Sequence, residues 1–124
     1  MSKNGPQDIW ASELRLNPQK SLLSVTFSDG TVGQLSTEFL RVVSPSAEVQ
    51  GHSPSERKLV PGKRDVTIRT IDPVGNYAIR LVFSDGHSTG IYSWHYLHEI
   101  TLRKDELWNG YLEELAAAGA SREG

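Results

Sequence analysis

The chain has 124 residues, a formal net charge of −2 and no cysteine. This length suits one domain with one modest core. The absence of cysteine excludes disulfides, thiol nucleophiles and every metal or iron–sulfur site that needs the protein's own thiolates. The slightly acidic balance disfavours general binding to nucleic acid or to a membrane surface.

The first ten residues contain no apolar run, so they do not resemble a secretory signal. No apolar stretch approaches the ~20 residues that cross a bilayer. A chain without cysteine fits a reducing compartment. We therefore expect a cytoplasmic protein that does not associate with a membrane.

The tetrapeptide FSDG organises the chain, because it occurs at residues 27–30 and again at residues 83–86. Asp-Gly between two strand-like runs is typical of a tight hairpin turn, since glycine accepts the positive φ that such a turn requires. An Asn-Pro or Asp-Pro turn precedes each copy. Ser36 or Ser93 follows each copy at a position typical of a helix N-cap. Each copy therefore predicts a strand, a turn, a strand, a tight turn, a strand and a short helix.

Residues 42–65 separate the two copies and contain three prolines without a clear hydrophobic period. Long loops of this kind are uncommon inside domains and tend to be functional or disordered. After the second copy, residues 102–118 predict an amphipathic helix. Its apolar side is formed by Leu107, Trp108, Tyr111, Leu112 and Leu115.

These elements predict an α+β fold with mostly antiparallel β-strands in two similar strand-strand-strand-helix units, plus the C-terminal amphipathic helix. We expect a flexible N-terminus over residues 1–7, a single domain over residues 8–118 and a flexible tail over residues 119–124. One sequence leaves open whether the two units arose by duplication.

Three histidines are candidate metal ligands. His87 follows the second tight turn, His95 lies on the predicted helix after it, and His52 lies in the long loop. A metal site needs three or four converging ligands. One interpretation is a transition-metal site formed by these histidines. The other is a set of boundary and surface histidines with ordinary hydrogen bonds, which the spacing favours because it matches no strong ligand signature.

No catalytic constellation is visible in the sequence. There is no Gly-x-Ser-x-Gly nucleophile elbow. No histidine is followed two positions later by a carboxylate, as in many facial-triad iron sites. We therefore predict that the chain is not an enzyme.

Aromatic and basic residues offer candidate binding surfaces. Tyr92 and Trp94 follow the second tight turn, and an exposed tryptophan there would mark a partner surface. Lys63 and Arg64 belong to a basic cluster over residues 57–64, which suits an anion or a single-stranded nucleic acid. The alternative places the aromatics in the core and the basic residues in a solvated loop, and the acidic net charge favours that alternative.

The stretch GNYAIRLVFSDGHSTGIYSWHYLHEI, preceded by LRVVSPSAEVQGH and PGKRDV, resembles the bacterial DUF971 family, which is similar to the N-terminal domain of gamma-butyrobetaine hydroxylase. The resemblance covers about residues 8–102. In the hydroxylases this domain precedes a separate oxygenase domain that holds the catalytic iron. This chain stops before any such domain, so the resemblance implies no hydroxylase activity here.

The hydroxylase domain also carries a zinc site of three cysteines and one histidine. The resemblance places the cysteines on Ser44, Ser46 and Val49 and the histidine on His87. Serine and valine do not replace thiolates as zinc ligands. We therefore expect neither a cysteine-based zinc site nor an iron–sulfur site.

Similar domains are fused to P-loop iron–sulfur carrier proteins, which implies an accessory role in iron or iron–sulfur protein metabolism, with iron as the expected metal. The expected function is a non-catalytic adaptor with a protein partner and weak metal binding. The alternatives are a stand-alone regulatory subunit of an oxygenase and a module that binds nucleic acid or another anion. The partner-binding candidates are Tyr92, Trp94, Ser44, Ser46, Glu48, Lys63 and Arg64.

Overall fold

Two antiparallel sheets carry the two FSDG turns in this computed structural model, which describes residues 9–51 and 57–123. In the first unit, strands β1 (Ala11–Leu16), β2 (Leu22–Phe27) and β3 (Val32–Ser36) lie side by side in that order, and helix α1 (Thr37–Val42) follows. The first FSDG turn joins β2 to β3.

The second unit repeats this arrangement. Strands β4 (Ile68–Val74), β5 (Ala78–Phe83) and β6 (Ile91–Ser93) form the second antiparallel sheet, and helix α3 (Trp94–Leu102) follows. Helix α4 (Lys104–Ala118) completes the fold. The predicted α+β fold, with two similar units and a C-terminal helix, is confirmed.

The two turns have the same hydrogen-bonded backbone. Gly30 and Gly86 have φ values of 91° and 94°, in the left-handed region that favours glycine. Each amide donates to the carbonyl of the preceding phenylalanine, at 2.9 and 3.0 Å. The serine hydroxyls of Ser36 and Ser93 each accept from the amide three residues later, at 3.0 Å, and so begin the two helices.

The inner faces of both sheets share one core with the helices, because alternate residues of each strand point to the same side. The largest fully buried side chains include Phe27, Phe83, Leu23, Leu35, Leu81 and Tyr92. The partly buried Leu107 and Trp108 of α4 pack against this core.

Each unit reaches across to a glycine of the other. A Cβ atom on Gly33, in the first sheet, would lie 2.4 Å from Oγ1 of Thr101, at the end of α3. A Cβ atom on Gly90, in the second unit, would lie 2.5 Å from Oγ of Ser44, just after α1. Real Cβ atoms do not approach other atoms so closely, so both positions depend on glycine for the packing of the two units.

The linker contains one element that sequence periodicity does not predict. A single helical turn, α2 (Ala47–Gln50), forms because the Ser46 hydroxyl accepts from the amide of Glu48 at 3.1 Å. The predicted helix over residues 102–118 begins at Lys104, since α3 extends to Leu102. Within the described residues, no helix is both long enough and apolar enough to cross a membrane.

The residues after α4 contact the linker and α1. The amides of Gly62 and Arg64 donate to the carbonyls of Ser121 and Arg122, at 3.0 and 3.1 Å. The Arg122 guanidinium donates twice to the carboxylate of Glu38, at 2.8 Å each. Glu38 is buried, so this pair neutralises a carboxylate that has little access to water.

Candidate functional site

The linker packs against the second FSDG turn through a polar cluster centred on His87. The imidazole side chain is 3% exposed and uses both ring nitrogens. Its Nε2 lies 2.9 Å from Oγ of Ser44, and its Nδ1 lies 3.2 Å from Oε1 of Glu48. The turn presents His87 to the linker because the Asp85 carboxylate accepts from the His87 amide at 3.1 Å.

The hydrogen bonds of this cluster fit a neutral imidazole. Burial lowers the pKa of His87, and the positive charge of Arg41 lowers it further. A neutral imidazole donates from Nδ1 to Glu48 and accepts at Nε2 from the Ser44 hydroxyl. The Ser44 oxygen in turn accepts from the amide of Ser46 at 3.2 Å. The linker and the turn are therefore joined by a satisfied chain of hydrogen bonds.

A second chain of bonds runs beside the first. The hydroxyls of Ser46 and Thr89 lie 2.6 Å apart, and Nε2 of Gln50 donates to the carbonyl of Ser44 at 2.8 Å. These contacts fix the linker on both sides of His87. Ser44 and Ser46, two of the residues predicted for partner binding, are both buried.

The order serine, histidine, glutamate resembles the hydrogen-bonded relay of a hydrolase. Such a relay needs a serine oxygen that a substrate carbonyl can reach. Ser44 is 0% exposed, and its oxygen is surrounded by His87, the Ser46 amide and the Gly90 backbone. The arrangement therefore positions the linker and offers no accessible nucleophile.

An ion cluster lies on the other side of the same turn. The Asp85 carboxylate accepts from Nε of Arg41 at 2.9 Å and from Nζ of Lys63 at 2.7 Å. Burial alone would raise the pKa of Asp85, but the bonds from Lys63, from the His87 amide and from Arg41 outweigh it and lower the pKa to about 2. Asp85 is therefore ionised at neutral pH.

Acidic partners neutralise three members of the basic cluster that the sequence singles out. Lys63 pairs with Asp85, Arg64 with Glu123 and Arg57 with Glu114. A surface that binds phosphates needs uncompensated positive charge. The structure therefore gives no support to a nucleic-acid site at residues 57–64.

The predicted metal ligands do not come together in the described residues. His95 is exposed at the start of α3, whereas His87 is buried beneath the linker. His52 lies outside the residues that the structure describes. Across residues 9–51 and 57–123, no three side chains of the metal-binding types converge.

The aromatic candidates differ in their surroundings. Tyr92 is fully buried, and its hydroxyl donates to the carbonyl of Leu40. Trp94 is half-buried, and its indole Nε1 donates to the carbonyl of Asn76 at 3.0 Å. The Trp94 amide donates to the carbonyl of Tyr77 at 3.0 Å. Trp94 is thus held against the turn between β4 and β5.

Tyr77 is a surface residue that the sequence reasoning missed. Its side chain is 57% exposed, and its ring lies 3.1 Å from where a Cβ atom would stand on Gly75. A tyrosine directly after a Gly-Asn turn is a signal for such exposure, because turn residues lie at the surface. Tyr77 and Trp94 together are called the aromatic pair below.

At the matching positions of the first unit, Ser21 is exposed and Thr37 is buried. The amide of Thr37 donates to the carbonyl of Ser21 at 3.0 Å, as that of Trp94 does to Tyr77. Thr37 is 2% exposed, and its hydroxyl donates to the carbonyl of Val66. The first unit therefore buries a polar residue at the position of Trp94 and exposes a serine at the position of Tyr77.

Comparison with known proteins agrees with the fold and gives the chain its family. Residues 14–98 match the family described as gamma-butyrobetaine hydroxylase-like, N-terminal. None of the curated proteins matches the chain.

Three solved structures are similar over most of the chain. Two solution NMR structures are each 44% identical to it, with TM-scores of 0.78 and 0.80; they cover 92% and 98% of this chain and 90% of their own. A crystal structure of a protein of unknown function from Acidithiobacillus ferrooxidans, which belongs to the DUF971 family, is 35% identical with a TM-score of 0.63. That match covers 81% of this chain and 98% of the other.

Proposed function

The chain belongs to the gamma-butyrobetaine hydroxylase-like N-terminal (DUF971) family, and from that premise we propose that it is a non-catalytic adaptor that binds a protein partner through the aromatic pair. The single observation that carries this proposal is the exposed Tyr77 beside the half-buried Trp94, because the first unit has a serine at the position of Tyr77 and buries Thr37 at the position of Trp94. Tyrosine and tryptophan are the residues most enriched at the energetic centres of protein interfaces.

The aromatic pair has little conformational freedom to lose on binding. Two hydrogen bonds fix Trp94 on the turn, and the ring of Tyr77 lies over Gly75. Side chains that are already ordered cost less entropy when a partner immobilises them. The pair therefore suits the centre of an interface.

Polar residues of the linker supply candidate contacts at the edge of such an interface. The Glu48 side chain is 64% exposed although its carboxylate bonds to His87, and Arg64 is 54% exposed beside Glu123. Lys63 is held by Asp85. Charged residues at an interface rim contribute more to association rate and specificity than to affinity.

The proposed setting is iron or iron–sulfur protein metabolism in the cytoplasm. The resemblance to domains fused with iron–sulfur carriers supports it, and so does a chain without cysteine. In this setting the partner brings the metal, because both ring nitrogens of His87 already have protein partners.

The proposal is tested by capture followed by a binding measurement. Tagged protein is incubated with native lysate, the captured protein is purified, and its affinity is measured by calorimetry for the wild type and for Trp94→Ala and Tyr77→Ala. We expect each substitution to weaken binding at least tenfold.

Trp10 provides a matched control beside the first turn. It is 56% exposed, and its carbonyl accepts from the Ser28 amide of the first FSDG turn. Trp10→Ala removes an exposed tryptophan of the first unit and is expected to leave affinity unchanged. Loss of binding in Trp10→Ala, with normal binding in Trp94→Ala, would contradict the proposal.

A further inference from the structure

We infer that the Ser44–His87–Glu48 network is a metal-independent replacement for a zinc centre, which fastens the linker to the second turn with hydrogen bonds alone. The resemblance places four zinc-ligand positions on Ser44, Ser46, Val49 and His87. The network attaches the linker to the second turn whether or not the aromatic pair binds a partner.

The fold still brings three of these four positions together. Ser44 directly contacts His87, at 2.9 Å. Ser46 is bound to Ser44 through its amide at 3.2 Å and to Thr89, two residues after His87, through its hydroxyl. The linker thus contacts the turn directly at Ser44 and Ser46, although these side chains are not metal ligands.

The residues present do not fit zinc. Structural zinc sites in proteins are built from thiolates and imidazoles in tetrahedral geometry. Here two positions are neutral hydroxyls and the third is the buried Val49. The remaining ligand position, His87, has no free ring nitrogen, since Ser44 takes Nε2 and Glu48 takes Nδ1.

The polar atoms at the centre of the network are satisfied without a metal. The Ser44 hydroxyl donates to His87 and its oxygen accepts from Ser46. Glu48 supplies the carboxylate that orients the imidazole, a role that carboxylates often take behind metal-bound histidines. A buried group left without a partner would be costly, and this arrangement leaves none on the Ser44 and His87 side chains.

The first unit contains no comparable network. Thr31 stands at the position of His87, with its amide bonded to Asp29 at 2.9 Å as that of His87 is bonded to Asp85. Thr101 stands at the position of Ser44 but bonds within its own helix, to the carbonyl of Leu97. The network is therefore specific to the place where the linker must be fastened.

The first test measures the wild-type full chain with and without metal. We expect the thermal midpoint to stay the same, within error, in EDTA, in excess zinc sulfate and in anaerobic ferrous iron. The ¹⁵N spectrum of the His87 ring should show a neutral imidazole protonated at Nδ1 under all three conditions. A zinc-dependent change of that ring that disappears in Ser44→Ala would overturn the inference.

The second test installs the missing thiolates. The variant Ser44→Cys/Ser46→Cys/Val49→Cys should bind cobalt(II) with the intense thiolate-to-metal absorption of a tetrahedral site, and bind zinc at least a hundredfold more tightly than the wild type. Adding His87→Ala to this variant should weaken zinc binding at least tenfold, because one of four ligands is lost.

The two tests together decide the matter. A triple variant that folds only with zinc supports the inference, because metal then supplies the closure that the hydrogen bonds supplied. A triple variant that folds and binds zinc no better than the wild type contradicts it. Should the triple variant fold in neither condition, the His87 ring spectrum of the wild type decides.

Discussion

The two FSDG turns share one backbone geometry and have different neighbours. In both, the aspartate accepts from the second amide after it and contacts a residue within the helix that follows the third strand of the other unit. Asp29 lies 3.0 Å from Nε2 of His98, and Asp85 lies 2.9 Å from Nε of Arg41. Only Asp85 gains a second cation, Lys63, and only its turn continues into a buried histidine.

The shared turn geometry is therefore structural, and the difference between the two units comes from the contacts of the linker. The segment directly after the linker covers Thr37 of the first unit through the Val66 carbonyl, whereas the linker itself is fastened to the second unit at His87. The turn between β4 and β5 is left with Tyr77 exposed. The proposed partner surface thus lies in the second unit, which the linker contacts differently from the first.

The largest expected difference in stability is between matching positions of the two helices that follow the third strands. Glu38 of α1 is buried and paired with Arg122, whereas His95 at the matching position of α3 is exposed. We expect Arg122→Ala to lower the free energy of unfolding by about 2–3 kcal/mol, because it leaves a buried carboxylate without its partner. His95→Ala should change it by less than about 0.5 kcal/mol. Urea denaturation measures both.

A second variant separates charge burial from lost packing at this pair. In Glu38→Gln/Arg122→Ala no buried charge remains, so this double variant should be more stable than Arg122→Ala alone. Equal stability of the two would show that the guanidinium contributes through packing.

The two glycines at the interface between the units should respond alike to substitution by alanine. A Cβ atom on Gly33 or Gly90 would overlap Thr101 or Ser44, at 2.4 and 2.5 Å. We expect Gly33→Ala and Gly90→Ala each to cost about 1–3 kcal/mol in chemical denaturation, as overpacking does. In Gly110→Ala no atom lies within 4 Å of the new Cβ, so the helix should gain about 0.5–1 kcal/mol.

The overlap at Gly33 has its own control. Thr101→Ala removes the two nearest of the three atoms that a Cβ on Gly33 would meet and leaves only the Thr101 Cβ, at 3.2 Å, so the cost of Gly33→Ala should shrink in that background. An undiminished cost would mean that something other than this contact requires glycine.

The two turn aspartates should differ in how much they contribute to stability as the pH falls. Burial raises the pKa of Asp85, but the bonds from Lys63, the His87 amide and Arg41 together outweigh it and lower the pKa from 3.8 to about 2. A carboxyl with a depressed folded pKa stabilises the protein above its unfolded pKa and loses that contribution as pH falls through the folded value. Asp85→Asn should therefore cost about 2 kcal/mol at pH 7 and progressively less between about pH 4 and pH 2.

Asp29 serves as the comparison for this acid profile. Hydrogen bonds from Thr31 lower its pKa as well, but the carboxylate is exposed to solvent. Asp29→Asn should therefore have a smaller effect than Asp85→Asn at neutral pH in thermal or urea unfolding. An equal effect of the two variants would contradict the distinction drawn between the turns.

The smallest expected effect concerns His87 and pH. Burial and then Arg41 lower its pKa below the ordinary value of 6.5. Because the unfolded chain takes up a proton on this histidine more readily, the protein should lose stability as pH falls below 6.5 toward the folded pKa. His87→Gln removes this titration, so its unfolding free energy should depend less on pH in that window. An unchanged pH profile would count against a buried neutral imidazole.

Much of this fold follows from local chemistry that the sequence displays. The Asp-Gly turns and the caps at Ser36 and Ser93 were predictable, because each depends on residues close together in the chain. The α2 turn was not predictable from periodicity, because it is a single turn begun by the Ser46 hydroxyl.

The candidate site was harder to predict than the fold. His87 was a visible candidate, but its partners Ser44 and Glu48 lie about forty residues away, and contacts of that separation leave no local pattern. Tyr77 was missed because its importance depends on exposure next to Trp94, which arises only when the turn and the helix meet. No local sequence pattern indicates which acidic residues pair with the linker and the basic cluster.

The central claim is that partner binding belongs to the second unit. Amide hydrogen exchange of the full chain, free and saturated with the purified captured partner, tests it most directly. We expect slower amide exchange in the bound protein at residues 75–78 and 91–95, and no change at the matching residues 19–22 and 34–38 of the first unit. Protection of the first unit, with the second unchanged, would contradict it.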